Sequence, residues 1–222
     1  MNKTSQTSVY TVGHSTHPQD HLIHLLQQHG ITALCDVRSR PYSRMNSQFN
    51  RPEFTRVLKK HSIRYVFLGK ELGARSDDPN CYEGGRVRYD LLARTQLFQS
   101  GLDRIATGMK TFKLALMCAE RDPLQCHRTI LVARHLETRG IPVTHILANG
   151  ALESNEEALL RLAQLLNIRQ DESHMFRSQE QLFDELYEIQ GKRIAYELEP
   201  ASDSKAKQSE ESQDENLHDR FY

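Results

Sequence analysis

The sequence predicts an α/β fold of three layers, in which an open, Rossmann-like, mostly parallel sheet of about five strands is flanked by helices. Three observations predict this class. Short apolar runs rich in β-branched residues alternate along the chain with segments of helical periodicity. The spacing of the runs leaves room for a helix between consecutive strands, as parallel pairing requires. The length of 222 residues suits one domain with a sizeable core and a tail.

The first part of the chain contains three predicted strands and two predicted helices. Thr16 or Asp20 is placed to cap the first helix, and Gly30 is placed to end it. A long polar segment, RSRPYSRMNSQFNRP, separates the second strand from the second helix. The predicted strands are 8–12, 31–37 and 63–69, and the predicted helices are 20–30 and 53–61.

The second part of the chain begins with a loop, because residues 69–88 are rich in glycine, aspartate and proline. Asp122 and Pro123 are a favourable N-cap and first-turn pair, and Gln125 stands at the capping-box position. A helix is therefore predicted to begin at Asp122 and to end at Gly140. The other predicted elements are a helix near 90–108, strands at 112–118 and 143–147, and helices at 154–166 and 179–199.

Charge divides the chain unevenly. Residues 1–150 carry 21 Lys and Arg against 12 Asp and Glu, whereas residues 151–222 carry 8 against 17. The basic part suggests an anionic partner, and the alternative is that both parts are solvated surfaces. We predict an α/β domain over 1–168, a C-terminal helical extension over 169–199 and an acidic, disordered tail over 200–222.

Composition also bears on location. No apolar run approaches the roughly 18 residues of a membrane span, and the first 15 residues lack the apolar core of a signal peptide. We therefore predict a cytoplasmic protein with no membrane partner, and a homo-oligomer is left open. The cysteines are too few for a disulfide scaffold and are interpreted as core thiols, ligands or nucleophiles: Cys35, Cys81, Cys118 and Cys126.

Polar and reactive residues follow four of the predicted strands, at the point where each strand ends. Because the carboxyl ends of parallel strands share one edge of the sheet, these residues are expected to converge there. The sequence therefore predicts a site at this edge. The residues are Gly13, His14 and Ser15; Asp36 and Arg38; Gly69, Glu71 and Gly73; and Cys118 and Glu120.

The stretch LMCAERDPLQCHR suggests thiol chemistry. If a helix begins near Asp122, Cys118 lies just before its N terminus, where free backbone amides favour a thiolate or a bound phosphate. A base and a neighbouring arginine would complete such a site. The alternative is that Cys118 is a buried thiol, and Cys126 is interpreted more simply as a core residue. The predicted catalytic residues are Cys118, His127, His14 and Glu120.

The arginine-rich segment 38–56 suggests phosphate binding. Its five arginines are interleaved with aromatic residues, a combination that suits phosphate groups and stacked bases. A salt-bridged surface loop is the alternative. Neither a Walker A loop nor a GxGxxG turn is present. The predicted substrate- or phosphate-binding residues are Ser15, Asp36, Arg38, Arg40, Arg44 and Arg128.

No cofactor is predicted. Cys118 and Cys126 are separated by seven residues, which differs from the short spacing of zinc knuckles. A metal site formed by Cys118, Cys126 and His127 is kept as the less favoured alternative.

Four motifs carry a resemblance to a known family. TVGHS at 11–15, DVRSRPYSR at 36–44, LGKELGAR at 68–75 and LMCAERDPLQCHR at 116–128 occur in this order. Together they resemble the uncharacterised family called domain of unknown function 488, over roughly residues 8–148. The resemblance implies an α/β fold and a soluble prokaryotic protein, and it brings no settled reaction. It also directs attention to nucleotide or nucleic-acid chemistry.

Three functional hypotheses follow from these observations. The leading one is an enzyme, thiol-dependent or acid/base, that acts on a phosphate-bearing substrate such as a nucleotide or nucleic acid. The second is a non-catalytic nucleic-acid-binding or accessory module, in which the thiols are structural. The third is rhodanese-like sulfur transfer, although the compact cysteine loop of rhodaneses is missing.

Overall fold

A computed structural model describes residues 8–168 and 178–198. A six-stranded sheet and a separate two-stranded hairpin lie within these ranges. The strands are β1 Val9–Gly13, β2 Ala33–Asp36, β3 Arg64–Phe67, β4 Tyr82–Glu83, β5 Arg86–Val87, β6 Leu114–Cys118, β7 Val143–Ile146 and β8 Leu152–Ser154. The α-helices are α1 Gln19–Gln28, α2 Arg51–Lys60, α3 Gly69–Leu72, α4 Tyr89–Leu92, α5 Gln96–Gly108, α6 Arg134–Glu137, α7 Asn155–Leu165 and α8 Gln179–Ile194.

The sheet has the strand order β3-β2-β6-β1-β7-β8. The first five strands in this order are parallel, and β8 pairs antiparallel with β7 at one edge. The predicted α/β class with a mostly parallel sheet is therefore confirmed. The sixth strand was not predicted, because three residues after a turn carry too little periodicity to be recognised.

Helices cover both faces of the sheet. Leu26 of α1 and Phe54 of α2 belong to a buried cluster with Leu34 and Met117 on one face. On the other face, Leu102 of α5 and the buried residues around Leu131 form a second cluster. This second cluster also contains Cys118 and Cys126. Alternation along β6 thus turns Met117 and Cys118 to opposite faces, and both thiols lie on the α5 side.

The connections change direction beside β6. The chain leaves β1 and β2 through α1 and α2, which pack on one face, and leaves β6 through a helical segment on the other face. Since β6 lies between β2 and β1, the carboxyl ends of these three strands form a topological switch point. Such a point opens a crevice at the sheet edge, which is where open α/β sheets bind ligands.

The helix after β6 begins later than the sequence suggested. Asp122 does act as a cap, with its carboxylate accepting the backbone N–H of Leu124 at 2.9 Å, but it caps a 3-10 turn over Pro123–Gln125. The helical segment begins at Arg128 with the π-helical turn Arg128–Ala133 and continues into α6. The predicted start at Asp122 is therefore wrong, and the predicted capping box with Gln125 does not form.

Two further segments differ from expectation. The predicted helix near 90–108 is divided into α4 and α5, because Thr95 leaves the helical conformation and its hydroxyl caps α5 through the N–H of Phe98. The predicted loop over 69–88 contains α3 and the hairpin β4–β5. These elements are only two to four residues long, which is below what sequence periodicity can indicate.

The C-terminal part of the described chain packs on the domain. Leu182, Leu186 and Tyr187 of α8 form a buried cluster with Leu159 of α7 and Leu124 of the turn after β6. The predicted tail over 200–222 lies outside the described residues. Among the helices that are described, none combines the length and the apolar character needed to cross a membrane.

Candidate functional site

Residues from three neighbouring strands meet at the carboxyl edge of the sheet. The backbone after β1 crosses close to the end of β6, where His14 N–H donates to the carbonyl of Cys118 at 2.9 Å. Ser15 N–H donates to the carbonyl of Ala119 at 2.8 Å. A Cβ atom at Gly13 would lie 1.9 Å from the carbonyl oxygen of Glu120, so only glycine fits there. The glycine of the TVGHS motif thus brings the two strand ends together.

Two thiols and an imidazole form a buried cluster, which we call the thiol–imidazole centre: Cys118, Cys126 and His127. The Nδ1 atom of His127 lies 3.6 Å from Sγ of Cys118 and 3.8 Å from Sγ of Cys126. One ligand atom from each residue lies within 4.8 Å of the other two. The three residues are between 1% and 6% exposed. The seven residues between the cysteines therefore form a loop that closes on itself, which the linear spacing did not reveal.

The orientation of His127 is fixed by the strand next to β6. Its Nε2 lies 3.0 Å from the carbonyl oxygen of Val37, and a carbonyl can only accept. Nε2 therefore carries a proton, and Nδ1 faces the two sulfurs. Burial lowers the pKa of His127, but the charge of Cys126 and the hydrogen bonds to Cys126 and Val37 raise it above its ordinary value. Nδ1 thus carries a second proton beside a Cys126 thiolate and presents its lone pair when the ring is neutral, so His127 is suited to act as a base or as a ligand.

The surroundings of the two thiols favour negative charge at Cys126. Burial raises the pKa of this thiol, but the hydrogen bond from Cys118 and the positive charges of Arg128 and His127 outweigh burial and hold the pKa well below its ordinary value. The same hydrogen bond and burial raise the pKa of Cys118 well above its ordinary value. The depressed pKa expected for Cys118 is thus found at Cys126.

The later start of the helix explains this reversal. The helical segment begins at Arg128, so its N terminus lies at Cys126: the amides of Thr129 and Ile130 donate to the Cys126 carbonyl at 3.1 and 3.3 Å. The backbone N–H of Arg128 donates to Sγ of Cys126 at 3.4 Å. The helix N terminus expected beside Cys118 therefore lies beside Cys126.

Arg128 supports the loop that joins the two thiols. Its guanidinium donates to the carbonyl of Glu120 at 2.6 Å and to the carbonyl of Arg121 at 3.2 Å, and the residue is 1% exposed. Both Nη atoms of this predicted phosphate-binding residue are thus engaged with the backbone. These two hydrogen bonds, which we call the Arg128 fork, fix the path of the chain between Cys118 and Cys126.

A second polar group lies beside the centre. The Arg38 guanidinium donates to both carboxylate oxygens of Asp36, at distances from 2.6 to 3.2 Å, and both residues are buried. Tyr65 also donates its hydroxyl proton to Asp36 at 2.7 Å. The remaining Nη1 of Arg38 faces Nε2 of His14 at 3.2 Å. Arg38 therefore links the end of β2 to the residue that follows β1.

His14 is held as a neutral ring. Its ring stacks on Phe49 with 4.5 Å between centroids, and its Nδ1 lies 2.8 Å from the carbonyl oxygen of Ser15. Burial, together with the charge of Arg38, lowers the pKa of His14 to about 4. The ring is thus uncharged near neutral pH and offers Nε2 as an acceptor to Arg38.

The other predicted site residues lie around these two groups. Glu120 is exposed as a whole residue, but its carboxyl turns toward the two thiols. Burial of the carboxyl, followed by the charge of Cys126 and a hydrogen bond with it, raises the pKa of Glu120, and a hydrogen bond with Cys118 opposes this. Ser15 is half-buried and has a positive φ of 48°, as its place in the tight turn after β1 requires. Arg40 and Arg44 are exposed on the segment that follows β2.

Sequence reasoning missed three contributions to the site. Tyr65 lies within β3, where nothing in the sequence distinguishes it from a core tyrosine. The carbonyl oxygens of Val37 and Phe49, which accept from His127 and Arg38, are backbone groups. Contacts of this kind carry no signal in residue identity. The charged state of Cys126 could be inferred only once the start of the helix was known.

A surface groove of about 410 Å³ runs along β3, between the sheet and α5. Its lining includes Arg64, Arg104 and Phe112. None of the predicted site residues lines it.

Comparison with known proteins gives one match. The family model described as "Domain of unknown function DUF488" matches residues 19–135, which is just over half of the chain. This match contains three of the four motifs on which the resemblance rests. No curated protein and no solved structure matches the chain.

Proposed function

Because the chain belongs to the family of domain of unknown function 488, whose name assigns no reaction, we propose a function from the site itself. The protein is an enzyme that depends on its thiol–imidazole centre and acts on a phosphate-bearing substrate, a nucleotide or nucleic acid. The substrate enters the crevice at the carboxyl ends of β1, β2 and β6. His14 and Glu120 border the centre on the side of β1 and of the loop after β6.

One observation carries the catalytic part of this proposal. A thiolate at Cys126 is stabilised by the Arg128 amide and by His127, whose ring is held in a single orientation by Val37. An ordinary core cysteine needs none of these contacts, and a preorganised thiolate is typical of catalytic sites. A thiolate serves either as a nucleophile or as a metal ligand. Both uses require Cys126.

Positive charge near the crevice supports the phosphate part. Arg40 and Arg44 are exposed on the segment that follows β2, beside the half-exposed ring of Tyr42. Arginine forks match phosphate geometry, and an exposed aromatic ring offers a base a stacking surface. The buried guanidiniums of Arg38 and Arg128 are assigned to positioning and to the local electrostatic potential.

Turnover of nucleotides and short oligonucleotides, followed by chromatography of the products, tests the proposal. We expect a substrate for the wild-type protein, and Cys126→Ser and His127→Ala should each lower kcat by about 100-fold or more. Cys81→Ser is the matched control, because Cys81 is an equally buried thiol in a separate 3-10 turn. Circular dichroism establishes that each variant is folded.

Two results would overturn the proposal. Unchanged turnover in a folded Cys126→Ser variant would remove the thiolate from the reaction. Salt-sensitive binding of oligonucleotides without turnover of any tested compound would indicate the non-catalytic binding module instead.

A further inference from the structure

We propose that Cys118, Cys126 and His127 bind one zinc ion, whose remaining coordination position takes water or a phosphate oxygen of the substrate. This inference rests on the thiol–imidazole centre of the proposed function and assigns its two sulfurs a use. They are ligands, and the reacting group is bound at the metal.

The distances within the centre match those between ligands of tetrahedral zinc. Zinc lies about 2.3 Å from cysteine sulfur and about 2.0–2.1 Å from histidine nitrogen, so a sulfur and a nitrogen on one ion are about 3.6 Å apart. The His127 Nδ1 atom lies 3.6 Å from one sulfur and 3.8 Å from the other. Both nitrogen–sulfur separations are therefore those of a tetrahedral site, and the two sulfurs lie within 4.8 Å of each other.

The surroundings of the three atoms are those that metal ligands require. A histidine ligand usually donates its other ring N–H to a carbonyl or carboxylate, and the Val37 carbonyl has this position at 3.0 Å from Nε2. The Arg128 amide donates to Sγ of Cys126 and helps to disperse its charge. All three residues are at least nine-tenths buried, which protects the thiolates from bulk water.

The donor set selects the metal and the type of site. Two thiolates and an imidazole favour zinc over the harder ions magnesium and calcium. Among the described residues, no fourth histidine, cysteine or carboxylate belongs to this group. Three protein ligands with one remaining position are typical of catalytic zinc sites, whereas structural sites use four. A zinc ion so placed would polarise a phosphate or lower the pKa of bound water.

Cobalt binding to the full-length protein tests the zinc site without a substrate. The chelator-treated protein is titrated with Co²⁺, and absorption from thiolate-to-cobalt charge transfer and from tetrahedral cobalt is recorded. We expect saturation at one Co²⁺ per chain and displacement by one equivalent of Zn²⁺. Cys126→Ser and Cys118→Ser should each weaken Co²⁺ binding by at least about 100-fold. The loss of a residue that contacts the metal costs at least as much metal affinity as the loss of a residue that only supports a ligand. The control Cys81→Ser should bind as the wild type does.

Absence of the charge-transfer band in wild-type protein would overturn the zinc site, as would unchanged Co²⁺ affinity in a folded Cys126→Ser variant. If the serine variants do not fold, the wild-type spectrum alone decides, because the band requires thiolate ligands. Metal binding with no turnover would leave the zinc site standing and would refute only the proposed enzyme. Turnover that persists in metal-free protein would refute a catalytic ion and retain the thiolate as nucleophile.

Discussion

Asp36 and Arg38 form a buried, bidentate ion pair across a single intervening residue at the end of β2. Three contacts from Nε and Nη2 to the carboxylate lie between 2.6 and 3.2 Å. Tyr65 donates to the same carboxylate, and the Arg38 fork also reaches the Phe49 carbonyl and His14. The pair therefore joins β2, β3, the segment before α2 and the residue after β1 in one hydrogen-bonded network.

Removal of the Asp36 charge should destabilise the fold strongly. Asp36→Asn leaves the Arg38 guanidinium buried without a counter-charge, and we expect the free energy of unfolding to fall by about 3–5 kcal/mol. Urea denaturation measures the loss. The control is Glu53→Gln, which breaks the exposed Glu53–Arg56 pair and should cost about 1 kcal/mol or less. Equal losses in the two variants would show that the buried pair has no special role.

Gly13→Ala should disturb the contact between β1 and β6. The added Cβ would lie 1.9 Å from the Glu120 carbonyl oxygen, so one strand end must move away from the other. We expect a loss of roughly 2 kcal/mol or more in unfolding free energy, comparable to overpacking in a core. Gly108→Ala is the control, because its Cβ would meet Leu114 at an ordinary 3.4 Å. A Gly13→Ala variant as stable as Gly108→Ala would contradict the close approach.

The fold was largely predictable from the sequence, and the reason is physical. Parallel strands buried on both faces leave apolar runs at regular spacing, and β2, β3 and β6 each lie within a predicted strand. Short elements such as β8 and α3 were not predicted, because two to four residues carry no periodicity. The approach of His14, Arg38 and Cys118 at one edge agrees with the rule for parallel sheets, which needs no knowledge of strand order. Glu71, from the fourth predicted set, instead pairs with Arg104 of α5.

The internal arrangement of the site was not predictable to the same degree. Asp122 and Pro123 have the preferences of a helix start, yet the structure uses them for a 3-10 turn. Because this 3-10 turn comes first, the helix N terminus lies several residues later in the chain. The cysteine beside it, where a thiolate is favoured, is therefore Cys126 and not Cys118. Sequence preference at a cap cannot separate a one-turn element from a long helix, because both satisfy the same backbone amides.

His145 should make the protein less stable in acid. This ring is fully buried between Thr11 and Asn155, and burial together with the charge of Arg128 lowers its pKa to about 3. The unfolded chain takes up the proton below its ordinary pKa of 6.5, whereas the folded chain does not. Stability contributed by the neutral ring is therefore complete above about pH 6.5 and is lost as the pH falls toward 3, by about 1.4 kcal/mol per pH unit.

The variant His145→Gln isolates this contribution. It should be less stable than the wild type at pH 7, and the difference should narrow steadily between pH 6.5 and pH 4. Urea denaturation at each pH gives both curves. A constant difference across this range would mean that His145 does not titrate on unfolding as its burial requires.

Arg128→Lys should loosen the loop that holds the two thiols. Lysine keeps the charge near Cys126 but lacks the planar fork that donates to the carbonyls of Glu120 and Arg121. We expect the free energy of unfolding to fall by about 1.5–3 kcal/mol, the range for hydrogen bonds from a charged group.

Alkylation of Cys126 by iodoacetamide in the folded, chelator-treated protein, mapped by mass spectrometry, should become faster in Arg128→Lys. Arg121→Lys is the control, because the exposed Arg121 side chain lies outside the fork. An unchanged rate of Cys126 alkylation in Arg128→Lys would show that the loop keeps its path without the Arg128 hydrogen bonds. The 3-10 turn after Asp122 would then be what holds the two thiols close together.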